Sequence, residues 1–330
     1  TVLDDNKKLC LVSGEIIQLS PPMTMMFEVE DLAVASPATV SRCGMVYMEP
    51  ISLGIGPLVD SWLHALAPAI KEHADKLRAL FDALVPQLLA TVRRSLKETV
   101  ATPGDGNLVC SLFRVMDALV APYVRVEGQD ELSAAEVDRL AAVVEPLFLF
   151  SVVWSVGATC NGPSQPMFNQ AFREACAAAG LSTAPPADAP VYSWGYDQEA
   201  GQWVDWMATV PDFQLDPATP FAQIIVPTSD TVRYMYLTDA LLRAGNHLLA
   251  VGETGTGKTL NLQNKLSSLD ESYLPIFMTF SARTSANQTQ DILDAKMDKR
   301  RKGVFGPPAG KKFVALIDDL NMPQREKYGA

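Results

Sequence analysis

A glycine-rich segment at residues 252–259 has the residue types and spacing that bind phosphate. It reads Gly-Glu-Thr-Gly-Thr-Gly-Lys-Thr and matches the pattern G-x-x-x-x-G-K-[ST] at every fixed position. Glycines let backbone N–H groups converge on phosphate oxygens, and a helix N-terminus adds about half a positive charge. Lys258 then reaches the outer phosphates, and the Thr259 hydroxyl ligates Mg²⁺. The predicted nucleotide-binding residues are Gly252, Glu253, Thr254, Gly255, Thr256, Gly257, Lys258 and Thr259.

A second motif, which ends in two acidic residues, lies about 60 residues after the glycine-rich segment. Residues 313–319 read Phe-Val-Ala-Leu-Ile-Asp-Asp, an apolar run ending in two carboxylates. This pattern predicts a buried parallel strand, and ligands of open α/β sheets bind at the carboxyl ends of such strands. Asp318 is placed to hold Mg²⁺, directly or through water, and Asp319 to activate a water molecule. The two motifs together predict a nucleoside triphosphate site.

The segments around these motifs predict the elements that position them. The apolar residues 247–251 predict a buried strand before the loop, and the sequence after it has helical spacing. A further strand is expected at 276–280, then a helix over 286–300 with Ser285 and Gln288 as its capping box. The basic cluster 299–302 would end that helix, either as a solvated terminus or as a contact with a neighbouring module or its phosphates.

Earlier parts of the chain change character twice. Residues 1–50 predict the end of an α/β unit, with helical character at 4–17, strands at 23–29 and 45–48, and a short helix that Ser36 caps. Helical spacing then predominates up to residue 180, followed by a hairpin that tryptophans would pack. We therefore expect three parts, 1–50, 51–215 and 216–330, of which the first and last are α/β.

Composition limits the classes of function. The net charge of −11, from 38 acidic and 27 basic residues, argues against a general nucleic-acid binder. Five cysteines without a C-x-x-C pair indicate a reducing compartment and no structural metal. The longest apolar run, about 146–158, is too short to cross a bilayer and suits a buried helix. No signal peptide is predicted, and we expect the sequence to be a piece of a longer polypeptide.

Five longer strings resemble the dynein heavy chains, and those of the last part resemble axonemal dyneins. They are residues 1–11, 36–50, 284–291, 298–308 and 317–323. The resemblance is strong over about 1–50 and 220–330, whereas 51–215 follows by position alone. It implies AAA+ P-loop NTPase modules, in which α/β large subdomains are joined through a helical small subdomain. Residues 1–50 would then end the second module of a six-module ring, and 216–330 would begin the third.

The resemblance also implies roles for single residues. Arg42 matches an arginine finger, which would reach the γ-phosphate bound by the preceding module; a structural salt bridge is the alternative. Val226 and Pro227 match a segment that lines the adenine pocket. Residues 28–30 carry acids where active modules commonly have Asn, which puts hydrolysis by the second module in doubt. Asp319 stands where Glu is usual, and the shorter side chain suits a site that hydrolyses ATP slowly and acts in regulation.

The implied cofactors are ATP or ADP with Mg²⁺, and the implied activity is ATP hydrolysis coupled to movement along microtubules in the cilium or flagellum axoneme. Partners would be neighbouring AAA+ modules, microtubules through other parts of the chain, and other dynein heavy, intermediate and light chains. Neither nucleic acid nor membrane is expected as a partner. Two alternatives stay open: a covalently linked AAA+ remodelling ATPase, and a nucleotide clamp without turnover.

Overall fold

The computed structural model describes residues 2–3, 7–29, 31–126, 128–211, 213, 224 and 226–324, apart from the side chains of residues 50 and 51. The chain divides into two compact units, Thr1–Gly54 and Ile55–Ala330. The bounds of the regular elements in the first unit are β1 Lys8–Cys10, β2 Ile16–Gln18, α1 Pro37–Ser41 and α2 Pro50–Leu53.

The first unit begins with a hairpin, so the helical character predicted for 4–17 is wrong for its described residues 7–17. Strands β1 and β2 pair antiparallel, with Lys8 opposite Gln18. Gly14 turns the chain at a φ of +86°, a conformation that glycine adopts without steric cost and that a helix cannot contain. The β-branched pair Ile16 and Ile17 follows and favours the strand. Residues 4–6 lie outside the described part.

Helix α1 forms as predicted, whereas the two predicted strands around it do not. The Ser36 hydroxyl accepts the Thr39 N–H at 3.2 Å, and Pro37 occupies the first turn, as N-terminal capping requires. Residues 23–29 and 45–48 are assigned no strand. Their apolar side chains are exposed, such as Met26 at 92%. A strand needs a ladder partner, and the described part of this unit supplies none to either segment.

The second unit begins with a helical region, defined here as residues 55–211. Its elements are α3 Gly56–Ala65, α4 Pro68–Lys71, α5 Ala74–Ser95, α6 Asp105–Val120, α7 Ala134–Val153, α8 Gln165–Ala178, β3 Trp194–Asp197 and β4 Gln202–Asp205. Helix α5 packs on α7 and α8, and α6 packs on α7. The predicted apolar spacing is confirmed, because Leu77, Leu84 and Val92 of α5 are fully buried.

Helix α7 lies at the centre of this core. Its capping box pairs the Ser133 hydroxyl with Glu136. The segment Ala134–Thr159 is apolar and long enough to cross a membrane, but 83% of its most apolar window is buried inside the protein, which fits the core helix that the sequence predicted. The hairpin β3–β4 also forms as predicted, with Trp194 opposite Asp205. Gly195 gives room to the ring of Trp206, which a side chain there would meet at 2.7 Å.

The remaining elements follow residue 211. They are α9 Ser229–Arg243, α10 Lys258–Ser267, β5 Tyr273–Thr279, α11 Ala286–Asp294, β6 Asp298–Arg301, β7 Val304–Gly306 and β8 Lys312–Asp318. Strands β5 and β8 pair parallel, from Tyr273 opposite Lys312 to Thr279 opposite Asp318. The strands predicted at 276–280 and 313–319 are thereby confirmed, except that Phe280 and Asp319 lie just beyond the ends of β5 and β8 and that β8 is only half-buried.

Two predictions in this part are wrong. Residues 247–251 form no strand and are exposed, because the described part of the chain offers them no ladder partner. Helix α11 has the predicted Ser285–Gln288 capping box but ends at Asp294 instead of residue 300. The basic cluster 299–302 therefore does not end a helix: it lies on the hairpin β6–β7. Gly303 turns this hairpin at a φ of +73°, a conformation that glycine adopts without steric cost.

Candidate functional site

The glycine-rich loop curls around the ammonium group of its own lysine. Lys258 Nζ donates to the Glu253 carbonyl oxygen at 2.5 Å and to Thr256 Oγ1 at 3.2 Å. Thr256 Oγ1 in turn donates to the same carbonyl at 2.9 Å. The turn depends on Gly255 and Gly257, whose φ angles of +83° and +77° disfavour any residue with a side chain. The positive charge of Lys258 is therefore held against the loop itself.

Helix α10 begins directly behind the loop, with Lys258 as its first residue. Gly257 precedes it in the left-handed conformation, and no side chain caps the first turn. A helix N-terminus leaves N–H donors unpaired and carries about half a positive charge, which favours anions. Together with the Lys258 ammonium, this end of α10 can bind the oxygens of a phosphate group.

The acidic motif reaches the loop through one hydrogen bond. Thr259 Oγ1 donates to Asp318 Oδ1 at 3.0 Å, across 59 residues of sequence. The ladder of β5 and β8 fixes Asp318, because it lies opposite Thr279 and its carbonyl accepts the Phe280 N–H at 2.9 Å. A hydroxyl and a carboxylate side by side are two oxygen ligands for a hard cation. The structure thus brings together the two residues predicted to lie near Mg²⁺.

The described part of the chain contains no group of three or more His, Cys, Asp or Glu side chains that could hold a metal by themselves. That fits Mg²⁺, which usually keeps several waters and is held by one or two protein oxygens together with substrate phosphates. A cation here would take the rest of its coordination from water and substrate phosphates.

Asp319 has an unusual backbone. Its φ is +52°, in the left-handed region that Asp and Asn tolerate better than other residues with side chains. Its N–H donates to Asp318 Oδ1 at 3.1 Å, and its carbonyl accepts the Met322 N–H at 2.9 Å. The residue is exposed at the end of β8. Its local conformation gives a physical reason for Asp at this position.

The other predicted site residues lie away from the loop in sequence. Val226 and Pro227 directly precede α9, which Thr228 caps by accepting the Thr231 N–H at 3.2 Å; α9 packs on α10. Arg42 lies in the first unit, at the C-terminus of α1, where its Nη1 donates to the Ala38 carbonyl at 3.4 Å. Of the acids at 28–30, Glu28 is exposed and Glu30 lies outside the described part.

Helix α9 carries a charge network that the sequence reasoning missed. Asp239 Oδ2 accepts from Arg243 Nε at 2.8 Å, and Asp239 Oδ1 lies 2.7 Å from Lys265 Nζ on α10. Burial alone would raise the pKa of Asp239, but the hydrogen bond from Arg243 and the positive charges of Arg243 and Lys265 outweigh burial and hold this pKa below its usual range. The i, i+4 spacing of Asp239 and Arg243 could have predicted their ion pair from the sequence. The contact with Lys265 could not have been predicted in this way.

Two family descriptions match the chain in adjacent stretches. "Dynein heavy chain AAA lid domain" matches residues 77–208, and "P-loop containing dynein motor region" matches 213–330. Human dynein axonemal heavy chain 1 is 46% identical and its mouse counterpart 47% identical, each over the whole of this chain. Mouse dynein axonemal heavy chain 12 is 41% identical over the same extent. The chain spans 8% of the length of the first two relatives and 11% of the third.

Proposed function

Because the chain belongs to the dynein heavy-chain family, we propose that it is a segment of an ATP-driven motor ring whose loop 252–259 holds a nucleotide. The predicted AAA+ P-loop fold class is confirmed by the two family matches. The parallel pair β5–β8 is the part of an α/β sheet that this fold class requires. The three parts 1–50, 51–215 and 216–330 remain our proposal for how the segment divides between modules.

One observation carries the nucleotide site: the 3.0 Å hydrogen bond between Thr259 and Asp318. In our proposal the N–H groups of the loop and the Lys258 ammonium bind the β- and γ-phosphates of ATP. Thr259 Oγ1 and the Asp318 carboxylate would hold Mg²⁺, directly or through water, and the ion would neutralise phosphate charge when bound. Residues 252–259 supply the loop, and Val226 with Pro227 lines the adenine side.

Asp319 is the group that we propose for orienting the attacking water. Its side chain is one methylene shorter than Glu, and its backbone is in the left-handed region. A displacement of about 1 Å at a catalytic group can cost on the order of 10²-fold in rate. We therefore propose a site that binds ATP and hydrolyses it slowly, regulating the motor more than driving it. A nucleotide clamp without turnover differs from this only in its hydrolysis rate.

Arg42 is proposed to act on a different nucleotide. It follows a short capped helix, which holds the guanidinium at one place on the surface of the first unit. A guanidinium can meet phosphate oxygens with two parallel hydrogen bonds. We propose that Arg42 serves the module that precedes this segment, in the manner of an arginine finger.

The wider activity follows from the family. The relatives bear the name axonemal dynein heavy chain, so we propose that the parent protein moves along microtubules in the axoneme of a cilium or flagellum. Its partners would be neighbouring AAA+ modules, microtubules through other parts of the chain, and other dynein heavy, intermediate and light chains. The AAA+ remodelling ATPase, the alternative from sequence, is disfavoured because both family matches are to dynein.

The test replaces Lys258 by Ala in the full heavy chain and measures photolabelling by 8-azido-ATP on peptides from residues 213–330. Losing a charge-assisted contact to phosphate should weaken labelling about 10- to 100-fold. Lys296→Ala is the matched control, because Lys296 is exposed just after α11 and should leave labelling unchanged. Equal labelling of the Lys258→Ala and wild-type chains would refute the site.

A further inference from the structure

The phosphate helix α10 has little apolar packing of its own. Leu266, at 4% exposure, is the one buried residue along its length. At its front end the helix is attached to β8 by the hydrogen bond from Thr259 to Asp318. With so little buried apolar surface, polar contacts must contribute much of what fixes its position.

The rear of α10 is held by an ion pair. Lys265 follows Lys258 by seven residues, which is two helical turns, or about 10 Å, along nearly the same face. Its Nζ lies 2.7 Å from Asp239 Oδ1, and the two side chains are 20% and 27% exposed. A pair this sheltered is screened less than a fully exposed one. Arg243 holds the same carboxylate from within α9, so Asp239 has little freedom to turn away.

Other residues of α9 pack into the helical region. The ring of Tyr236 lies 5.4 Å from that of Trp206 and 6.0 Å from that of Phe150, and Leu237 and Leu241 are each 8% exposed. Near the start of α9, the guanidinium of Arg233 lies 5.5 Å from the Trp154 ring centroid and donates to the Tyr192 carbonyl at 3.2 Å. Helix α9 is thus packed into the core of the helical region and forms an ion pair with α10.

From these contacts we infer that Asp239 and Lys265 are a positioning pair, which couples the helical region to the phosphate loop through α9 and α10. The inference rests on the proposed nucleotide site. The pair fixes the rear of α10, and so sets where Lys258 and Thr259 stand at its front. By thermodynamic linkage, nucleotide bound at the loop must strengthen the attachment of α9 by as much as the attachment strengthens nucleotide binding.

The experiment uses the full heavy chain with Asp239→Asn, Lys265→Met, their combination, and the charge-retaining Lys265→Arg. Two readouts are taken: 8-azido-ATP labelling of peptides from 213–330, and hydrogen exchange of 229–243 with and without Mg·ATP. The control is Asp82→Asn, which removes an exposed i, i+4 pair with Arg78 on α5. Each charge-removing variant should weaken labelling about three- to tenfold, and the double variant no further than the single ones.

The charge-retaining variant Lys265→Arg distinguishes a positioning role of the ion pair from a general contribution to stability. Lys265→Arg should keep both the labelling and the protection that nucleotide gives to α9, whereas Asp239→Asn should lose that protection with the helical region unchanged. Wild-type labelling in Asp239→Asn and Lys265→Met, alongside loss of labelling in Lys258→Ala, would overturn the pair and leave the nucleotide site standing. Asp239→Asn and Lys265→Met could instead exchange faster than wild type throughout 55–211 in the absence of nucleotide, with Lys265→Arg exchanging equally fast. That result would also overturn the positioning role, because it would show a general loss of stability. Unchanged labelling in Lys258→Ala would refute the site itself.

Discussion

Two regions of the second unit hold their shapes by different means. Among the described residues, the twelve largest fully buried side chains all lie in the helical region, residues 55–211, from Ile70 to Phe172. The loop region, defined as residues 244–324, buries only Leu266, Ile276 and Met278 among its large apolar side chains. Its order comes from caps, glycine turns, one parallel ladder and hydrogen bonds such as that from Thr259 to Asp318. Of these two regions, the one that carries the proposed site therefore has the thinner apolar packing.

This contrast has a physical reason. Groups that meet a phosphate must keep donors and charges accessible, and a buried ion would need compensating partners. A deep core would also leave a phosphate loop little freedom to change shape, whereas functional loops come from the less stable parts of proteins. Rate and stability should consequently respond to different residues, and the following predictions test that separation from the largest expected effect to the smallest.

Arg42→Ala should give the largest change in rate with the smallest change in fold. Removing an arginine finger can cost about 10³–10⁵ in rate, while Arg42 is exposed on a short helix. We expect ATPase activity of the full heavy chain to fall by this order, with 8-azido-ATP labelling on 213–330 retained. Normal ATPase activity together with faster hydrogen exchange of 31–54 would instead identify Arg42 as a structural salt-bridge residue.

Phe148→Ala and Phe277→Ala should separate the two regions by stability. Phe148 on α7 is 0% exposed, whereas Phe277 on β5 is 46% exposed, although its neighbours Ile276 and Met278 are buried. Truncating a buried Phe costs about 3–5 kcal/mol, and a surface change stays within about 0.5 kcal/mol. Hydrogen exchange of 134–153 in the first variant and of 273–279 in the second gives the two values. Equal losses would mean that the loop region has a core that the buried areas do not reveal.

The same contrast explains which predictions succeed from sequence. Apolar periodicity predicts the helices of the helical region well, because the apolar faces of α5, α6 and α7 pack together and these helices lie within 80 residues of sequence. Strand predictions at 23–29, 45–48 and 247–251 fail because a strand exists only with a ladder partner, which a single segment cannot reveal. The 298–301 strand was missed because the predicted helix, 286–300, was extended past the end of α11 at Asp294.

The residues of the proposed site likewise divide into those that local sequence patterns predict and those that only the structure shows. The loop and Asp318 are predictable because their chemistry needs fixed residue types at short spacing. Asp319 was also predicted from the sequence, but its left-handed backbone, which favours Asp over Glu, is visible only in the structure. The Asp239–Lys265 contact joins residues 26 positions apart on two helices, and no local pattern encodes such a distance.

Asp319 variants test whether backbone or reach decides the hydrolysis rate. Asn also tolerates the left-handed region, so Asp319→Asn should keep the fold and abolish turnover. Asp319→Glu should hydrolyse faster, recovering part of the roughly 10²-fold that short reach costs, while losing about 1 kcal/mol of local stability to the left-handed backbone. Single-turnover hydrolysis with the first module disabled measures the rates. A wild-type rate equal to that of the main site would contradict the regulatory role.

The smallest expected effect is a pH dependence confined to the contact between α9 and α10. The pKa of Asp239 is lowered from its ordinary 3.8, because Arg243 and Lys265 outweigh the effect of burial. A carboxyl with a lowered folded pKa stabilises fully above the unfolded pKa, and this contribution is lost as pH falls through the folded value. Protection of 229–243 and 258–267 against hydrogen exchange should thus weaken below about pH 3.8 in wild type relative to Asp239→Asn at the same pH. Exchange of 74–95, in the apolar core, should not differ between the two proteins. If wild type instead lost protection relative to Asp239→Asn as the pH rose above 3.8, the pKa of Asp239 would be raised by burial and not lowered by Arg243 and Lys265.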